Sequence, residues 1–249
     1  MIIAEIGLNH LGSEKYLDEY LDYLLKSSVD AITLQIREKN FYTNSKYSEY
    51  QLSLDVYNDV CSKVKSSGKK FGMALSDLSL APFFNEKVDF YKILSKDLGD
   101  QQFIEQLINI VDKPFFISTG LSSYDAIEYF ISEVNSKMVK NVTLIHTRLS
   151  NKVEDTNLKA IQNMKSKFKM PIAFGNHCEN PLVTYTALAY APTAIFLYIK
   201  GDWTMNHPDE RHAISLDEII DFSKNIKQVL KSIGNGHKED LKNIIEGQK

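Results

Sequence analysis

Arginine and histidine are distributed unevenly along this 249-residue chain. Only three of its 29 lysine and arginine residues are arginines, and Arg37, Arg148 and Arg211 each follow a predicted β-strand. Five of the six histidines lie in segments of the same kind. A guanidinium group can donate two parallel hydrogen bonds to a carboxylate or phosphate, which an ammonium group cannot do. The pattern therefore predicts a site for a small anion, formed by these segments together.

The arginines also have a simpler interpretation. Arg37 could pair with Glu38 or Asp77, and Arg211 with Asp209, as solvent-exposed ion pairs. Pairs of that kind stabilise a protein little. We favour the anion site because all three arginines fall in one class of segment, and we expect at least two of them to point into a cavity near Lys92.

Polar side chains also stand inside or at the ends of the predicted strands. Glu5 lies in the first strand and Lys92 in the fourth, where either group is costly to bury unless it is paired. One interpretation is an internal ion pair between Glu5 and Lys92, and the other is that Lys92 neutralises a bound phosphate or carboxylate. The remaining polar residues assigned to the site are Gln35, Ser95, Ser118, Thr119, His146, Asn176, His177 and His212.

The elements that must position these groups alternate regularly. Eight β-rich segments (2–6, 31–36, 70–75, 90–94, 114–119, 141–146, 171–175 and 194–200) alternate with segments of helical periodicity. This order predicts an α/β fold, a (β/α)8 TIM barrel with its site at the carboxyl ends of the strands. We predict one domain over residues 1–249 with a closing helix at 237–246, and the alternative is an open doubly wound sheet.

Composition limits the class of partner. The net charge of −3 provides no basic surface for nucleic acid, so the expected anion is small and bound locally. Two widely separated cysteines, Cys61 and Cys178, indicate a reducing compartment. Because the sequence enters a predicted strand directly and has no long apolar run, we expect neither secretion nor a membrane span. We expect a cytoplasmic protein without membrane partners, able to form a homodimer.

The opening motif EIGLNHLGS at 5–13 resembles that of the sialic acid synthases, N-acetylneuraminate synthase and its relatives. Further similarities follow in order over nearly the whole chain: Gln35, FYKILS at 90–95, ISTG at 117–120, LIH at 144–146, His177 and HAISLDE at 212–218. The resemblance implies a TIM barrel that condenses phosphoenolpyruvate with an N-acylated aldose. It also implies a divalent metal, manganese or magnesium, that polarises the aldehyde.

The resemblance implies roles for particular residues. Glu5 and Gln35 would contact the sugar, Lys92 with Ser95 and Ser118 would hold phosphoenolpyruvate, and His177 would be a metal ligand. We expect His177 or His146 to act as acid, base or electrophile beside Glu5. The other residues expected to bind substrate are Arg37, Thr119, Arg148, Asn176, Arg211 and His212.

The chain departs from the family pattern at several positions. Thr33 stands where the family has a phosphoenolpyruvate-binding lysine, Ile199 where it has the second metal-ligating histidine, and Arg211 where it has a sugar-contacting aspartate. Because a single imidazole binds a divalent metal poorly, we expect weak or no metal binding. The family's C-terminal antifreeze-like domain is expected to be absent. Further departures are Ala74, Leu149, Asn151, Gly175 and Asn176.

These observations predict a divergent sialic-acid-synthase-like enzyme, a transferase that joins phosphoenolpyruvate or a similar carboxylate to a sugar aldehyde in surface-polysaccharide biosynthesis. One alternative is a barrel aldolase, isomerase or epimerase that acts on an acidic or phosphorylated sugar, with Lys92 as a Schiff-base nucleophile. Another alternative is a catalytically silent homologue that binds a sugar acid.

Overall fold

The computed structural model describes residues 1–133, 141–201 and 206–237. Eight parallel strands pair in chain order, and the first pairs with the eighth, so the sheet closes on itself. The predicted TIM barrel is therefore confirmed. The strands are β1 (Ile2–Gly7), β2 (Ala31–Ile36), β3 (Lys70–Leu75), β4 (Phe90–Ile93), β5 (Phe115–Ser118), β6 (Val142–His146), β7 (Ile172–Gly175) and β8 (Ile195–Lys200).

Helices cover the outside of this barrel. After β8 a short additional strand, β9 (Ile214–Ser215), pairs with it in parallel, and the sequence pattern did not predict this strand. The predicted closing helix lies outside the described residues except for its first position, 237. The helices are α1 (Glu14–Leu24), α2 (Lys39–Tyr42), α3 (Leu54–Ser66), α4 (Ala81–Asn85), α5 (Gln101–Ile110), α6 (Tyr124–Glu133), α7 (Lys159–Phe168), α8 (Leu182–Leu188) and α9 (Ile219–Ile233).

The outer helices form because their apolar residues recur on one face. In α1, Leu17, Leu21 and Leu24 are buried against the barrel, and the Ser13 side chain caps the first turn by accepting a hydrogen bond from the Tyr16 amide. No helix among the described residues is both long enough and apolar enough to cross a bilayer.

Side-chain alternation along the strands fixes what faces the barrel axis. Successive residues of a strand point to opposite faces, so every second residue faces inward. One inward layer is apolar, and it contains Ile3, Phe90, Phe116, Ile145 and Phe196 together with Ala31, Ala173 and Ala194. Two positions further along the same strands the inward residues become small or polar: Glu5, Thr33, Lys92, Ser118, Thr147, Gly175 and Tyr198. This change of character marks the floor of a site at the carboxyl end of the barrel.

The Thr33 side chain shows the cost of this change. Thr33 is fully buried, and its hydroxyl has no hydrogen-bond partner in the part of the chain that the structure describes. We expect Thr33→Val to raise the free energy of unfolding by about 1 kcal/mol, because an unpaired polar group is replaced by a methyl group of the same shape. Chemical denaturation measures this change. The matched control is Thr119→Val, since the buried Thr119 hydroxyl donates to the Ile145 carbonyl oxygen at 2.8 Å and its loss should destabilise. A destabilised Thr33→Val protein would contradict the prediction.

Candidate active site at the carboxyl end of the barrel

A cavity of about 210 Å³ opens at the carboxyl end of the barrel, above the inward polar layer. We call it the central cavity. Charged, hydroxyl and imidazole groups line its floor and walls, and leucines contribute to its wall. The lining residues are Glu5, Gln35, Lys92, Leu94, Ser95, Lys96, Ser118, Leu121, Leu149, His177, Tyr198 and Asp209.

The floor of the central cavity holds an internal ion pair. Lys92 Nζ lies 2.5 Å from Glu5 Oε2 and 3.4 Å from the Tyr198 hydroxyl, and both charged side chains are at least 97% buried. The ion-pair interpretation of these two residues is therefore confirmed. Burial raises the pKa of Glu5 above its usual value, and the neighbouring Lys92 only partly opposes that shift. A carboxyl group with a raised pKa can take up a proton when the electrostatics of the site change.

Aromatic rings cover one side of this ion pair. The His177 ring centroid lies 4.6 Å from that of Tyr198 and 4.3 Å from that of His212. Burial lowers the pKa of His177 to about 3, with His212 and Lys92 as further causes. His177 is therefore a neutral imidazole at physiological pH, and it is better suited to hydrogen bonding than to donating a proton as a general acid. Burial also raises the pKa of Tyr198 well above its usual range, so its hydroxyl keeps its proton.

Asp209 reaches the central cavity from the segment that precedes β9. Its backbone N–H donates to Asn9 Oδ1 at 3.3 Å, while Asn9 Nδ2 donates to the Ile199 carbonyl oxygen at 2.7 Å. These bonds hold the segment against the end of β1. A β-carbon added at Gly7 would lie 3.7 Å from both Asp209 Oδ2 and Gln35 Oε1, and 3.8 Å from Glu5 Cγ. Glu5, Gln35 and Asp209 thus converge on one side of the cavity.

The opposite side of the cavity is rich in hydroxyl groups. The Ser95 hydroxyl donates to the Ser118 hydroxyl at 2.9 Å and accepts a hydrogen bond from the Gly120 amide at 3.1 Å. Gly120 has room for no side chain, because an added β-carbon would come within 2.9 Å of both Ser95 Oγ and Thr147 Cγ2. These two hydroxyls line the same cavity as the Lys92 ammonium group, an arrangement that suits an anion.

Several residues that the sequence assigned to one site are elsewhere. His146, Thr119 and Arg148 line a separate cavity on the helix side of β5 and β6. The prediction that His146 shares the cavity of Glu5 and Lys92 is wrong, because alternation turns inward Ile145 and Thr147 rather than His146. The Asn176 amide bonds to the backbone of Cys178 and shapes the loop after β7. His212 packs on His177 without lining the cavity.

The expectation that at least two arginines point into the central cavity is wrong. Arg37 forms a two-pronged pair with Glu38, at 2.9 and 3.0 Å, and its guanidinium carbon lies 4.3 Å from the Phe41 ring centroid. Arg211 is 69% exposed and pairs with Glu179, not with Asp209. The anticipated alternative, a local ion pair, therefore holds for Arg37. Arg148 lines the second cavity.

Tyr198 and Asp209 are cavity residues that the sequence interpretation left out of the site. The sequence carried a usable signal for Tyr198, because it lies two residues after the inward Phe196 on β8. The next residue, Ile199, points to the other face of the strand and lies in the apolar layer outside the barrel. The β8 residue that faces His177 is therefore Tyr198. Asp209 follows the strand at a distance that sequence spacing does not fix. The other cavity residues left out are Leu94, Lys96, Leu121 and Leu149.

The donor groups around His177 do not fit a divalent metal. Catalytic metal sites usually offer three converging protein ligands, and no group of three such ligands occurs in the described ranges. The rings of His177 and His212 are tilted by only 35° at 4.3 Å, so they stack rather than converge. The Lys92 cation also contributes to lowering the pKa of His177.

We therefore expect no His177-dependent manganese site. Titration calorimetry should show no binding in the micromolar range or tighter, and His177→Ala should leave the titration unchanged. The physical reason is that an imidazole without two further converging ligands, and near an ammonium group, binds a divalent cation poorly. Micromolar affinity that disappears in His177→Ala would contradict this expectation.

The fold and the central cavity define a (β/α)8-barrel protein that presents a polar site at the carboxyl ends of its strands. The model of the NeuB family matches residues 21–238 of this chain. The chain belongs to the NeuB family, and the resemblance to sialic acid synthases is confirmed.

Relatives and a solved structure agree with this assignment. An uncharacterized protein of Methanocaldococcus jannaschii is 30% identical over 248 residues, which cover 95% of this chain and 73% of that protein. The N,N'-diacetyllegionaminic acid synthase of Campylobacter jejuni is 24% identical, over 97% of this chain and 80% of the synthase. A crystal structure of the Leptospira borgpetersenii N-acetylneuraminic acid synthetase, in complex with citrate, has a TM-score of 0.87 at 22% identity and covers 99% of this chain and 90% of that one. At 22% identity, this structural similarity is evidence for the fold of the chain alone.

Proposed function

We propose that this protein is a nonulosonic acid synthase that condenses phosphoenolpyruvate, or a similar three-carbon carboxylate, with a sugar aldehyde in surface-polysaccharide biosynthesis. Membership of the NeuB family and the named synthases among its relatives support the reaction class. The observation that carries the proposal is the buried Lys92–Glu5 pair in the same cavity as the Ser95 and Ser118 hydroxyls. This arrangement combines a cation that can bind the donor, Lys92, with a carboxyl group that can accept and donate a proton, Glu5.

The donor would bind on the serine side of the cavity. An arriving carboxylate or phosphate competes with Glu5 for the Lys92 ammonium group. Because burial already raises the pKa of Glu5, that carboxyl group can take up a proton as the donor anion replaces it. The site then contains one paired cation, a bound anion and a neutral carboxylic acid, so no extra buried charge accumulates. Ser95 and Ser118 supply hydroxyl hydrogen bonds to the same anion.

The sugar would bind on the side where Glu5, Gln35 and Asp209 converge. Carboxylate and amide oxygens accept hydrogen bonds from sugar hydroxyls, and they orient the aldehyde toward the donor. When C3 of phosphoenolpyruvate bonds to the aldehyde carbon, the aldehyde oxygen gains a proton, and water adds to C2 of the donor as phosphate leaves, which gives a 2-oxo acid. The protonated Glu5 would supply this proton, and the Tyr198 hydroxyl, 3.4 Å from Lys92, would donate a hydrogen bond without losing its own proton.

The direct test is incubation with phosphoenolpyruvate and a panel of N-acylated aldoses, with and without manganese, monitored for phosphate release. Release that depends on the aldose supports the proposal. A protein that binds phosphoenolpyruvate and an aldose together but releases no phosphate would be a silent homologue, and the proposal would fail.

A second candidate function is an aldolase that forms an imine at Lys92, and the buried position of Lys92 against Glu5 favours it. Glu5, whose pKa is raised by burial, would first take a proton from the Lys92 ammonium group; the resulting amine nitrogen would attack the carbonyl carbon of a 2-oxo acid, and water would leave with that proton from Glu5. Borohydride reduction with pyruvate distinguishes the two functions. A covalent adduct on Lys92 supports the aldolase, whereas phosphate release without an adduct supports the synthase.

A further inference from the structure

A second polar cavity lies outside the barrel wall. It has a volume of about 230 Å³ and sits between the carboxyl ends of β5 and β6 and the helices α6 and α7. None of its lining residues belongs to the central cavity. The lining consists of Thr119, Ser122, Ser123, Tyr124, Ile127, His146, Thr147, Arg148, Asn157, Ala160 and Met164.

The charged groups that line this cavity have one sign. Among the described residues that line it, Arg148 is the one arginine or lysine, and none is an aspartate or glutamate. Within the described ranges Arg37 and Arg211 are each paired with a glutamate, whereas Arg148 forms no ion pair. An arginine that faces an acid-free pocket keeps its two-pronged donor geometry available for an anion.

Hydrogen bonds already formed show which donors remain. The Thr119 hydroxyl donates to the Ile145 carbonyl oxygen, and His146 Nε2 bonds to the Thr156 carbonyl oxygen at 3.0 Å. The Ser123 oxygen accepts from the Ala126 amide at 3.2 Å, which leaves the hydroxyl proton of Ser123 to donate. Burial lowers the pKa of His146, so the imidazole adds no competing positive charge. The donors of Arg148, Ser122 and Ser123 remain for a ligand.

The rest of the lining is consistent with a small organic anion. Ser123 caps α6, whose amino-terminal turn therefore opens at this cavity, where the helix dipole favours negative charge. Ile127, Ala160 and Met164 provide an apolar wall for a short carbon skeleton. We propose that this cavity is a second ligand site, separate from the central cavity, which binds a small phosphate or carboxylate compound through Arg148 and the two serine hydroxyls.

Calorimetry at low ionic strength tests the site with inorganic phosphate and, in a separate series, with butyrate. We expect Arg148→Leu to weaken the binding of at least one probe by at least about tenfold, because a charge-assisted pair is lost. Ser122→Ala should weaken binding of the same probe by a smaller factor. Arg211→Leu is the matched control, since it removes the same charge from an exposed pair and should change the affinity less than about twofold. The probe that responds identifies phosphate or carboxylate as the ligand chemistry.

The proposal fails if Arg148→Leu binds both probes as the unaltered protein does, or if Arg148→Leu and Arg211→Leu weaken binding equally. The first result would place any bound anion elsewhere, and the second would indicate only a diffuse electrostatic field. Both outcomes are independent of the synthase reaction, which is monitored by phosphate release from phosphoenolpyruvate.

Discussion

Lys92→Met should lower the free energy of unfolding by about 3–5 kcal/mol at neutral pH, because it leaves the buried Glu5 carboxylate without its partner. The methionine side chain retains most of the packing of the lysine stem, so the loss is mainly electrostatic. The same substitution should abolish phosphate release, since the donor anion would have no cation at the floor of the cavity. Urea denaturation and the phosphate-release assay measure the two effects.

The loss of stability in Lys92→Met should depend on pH. A carboxyl group whose pKa is raised in the folded state contributes stability that is present at low pH and lost as the pH rises through that raised value. Burial already raises the pKa of Glu5, and removing Lys92 should raise it further. The difference in stability between the two proteins should therefore be small at about pH 5 and large at about pH 8.

The double variant Glu5→Gln with Lys92→Met is the control for this interpretation. It removes both charges, so it should regain much of the lost stability and show little change between the two pH values. A double variant as unstable as Lys92→Met at high pH would mean that packing, rather than the unpaired carboxylate, causes the loss.

Asp209→Asn should lower kcat/KM for the sugar acceptor by about 10–100-fold, the effect of losing a charged hydrogen-bond acceptor. Its carboxylate lies beside Gln35 and Glu5 at the cavity edge. The asparagine side chain has nearly the same shape, so the segment held by Asn9 should stay in place. The measurement uses whichever aldose supports phosphate release, and the KM for phosphoenolpyruvate should change little.

Arg211→Leu is the matched control, two residues further along the chain. Arg211 is exposed and pairs with Glu179, so its loss should leave kcat/KM for the acceptor unchanged. If Arg211→Leu impairs acceptor use and Asp209→Asn does not, then Arg211 occupies the acceptor position and the geometry of this segment in solution differs from that described.

The sequence predicted the barrel because its signals are local and repeated. Eight alternations of strand and helix patterns are hard to satisfy in another way. Both ends of every predicted strand lie within one residue of the observed ends. Glu5, Gln35, Lys92, Ser95, Ser118 and His177 were also placed correctly in one cavity, because they stand on or just beyond strands whose carboxyl ends must meet.

The correct assignments on the strands concern residues that face the barrel axis, and the incorrect ones concern residues that face the helices. His146 and Thr119 are one position away from an inward residue, so alternation directs them to the helix side of the wall. For the same reason, the β8 residue next to His177 is Tyr198 and not Ile199, which lies in the outer apolar layer. The sequence contained this information, but it becomes decisive only once the register of each strand relative to the apolar layer is known.

The sequence by itself determined the fold, the end of the barrel that carries the site, and the residue types on the cavity floor, because these follow from periodicities within short segments. Only the tertiary structure decided which partners the long polar side chains beyond the strands contact. Arg37 pairs with the next residue in the chain, Glu38, and Arg211 pairs with Glu179 of the loop after β7. Asp209 is instead held at the cavity by the hydrogen bond from its backbone N–H to Asn9, two hundred residues earlier. A loop side chain adopts whichever contact gives the lowest free energy after the whole barrel has closed, and spacing along the chain does not encode that choice.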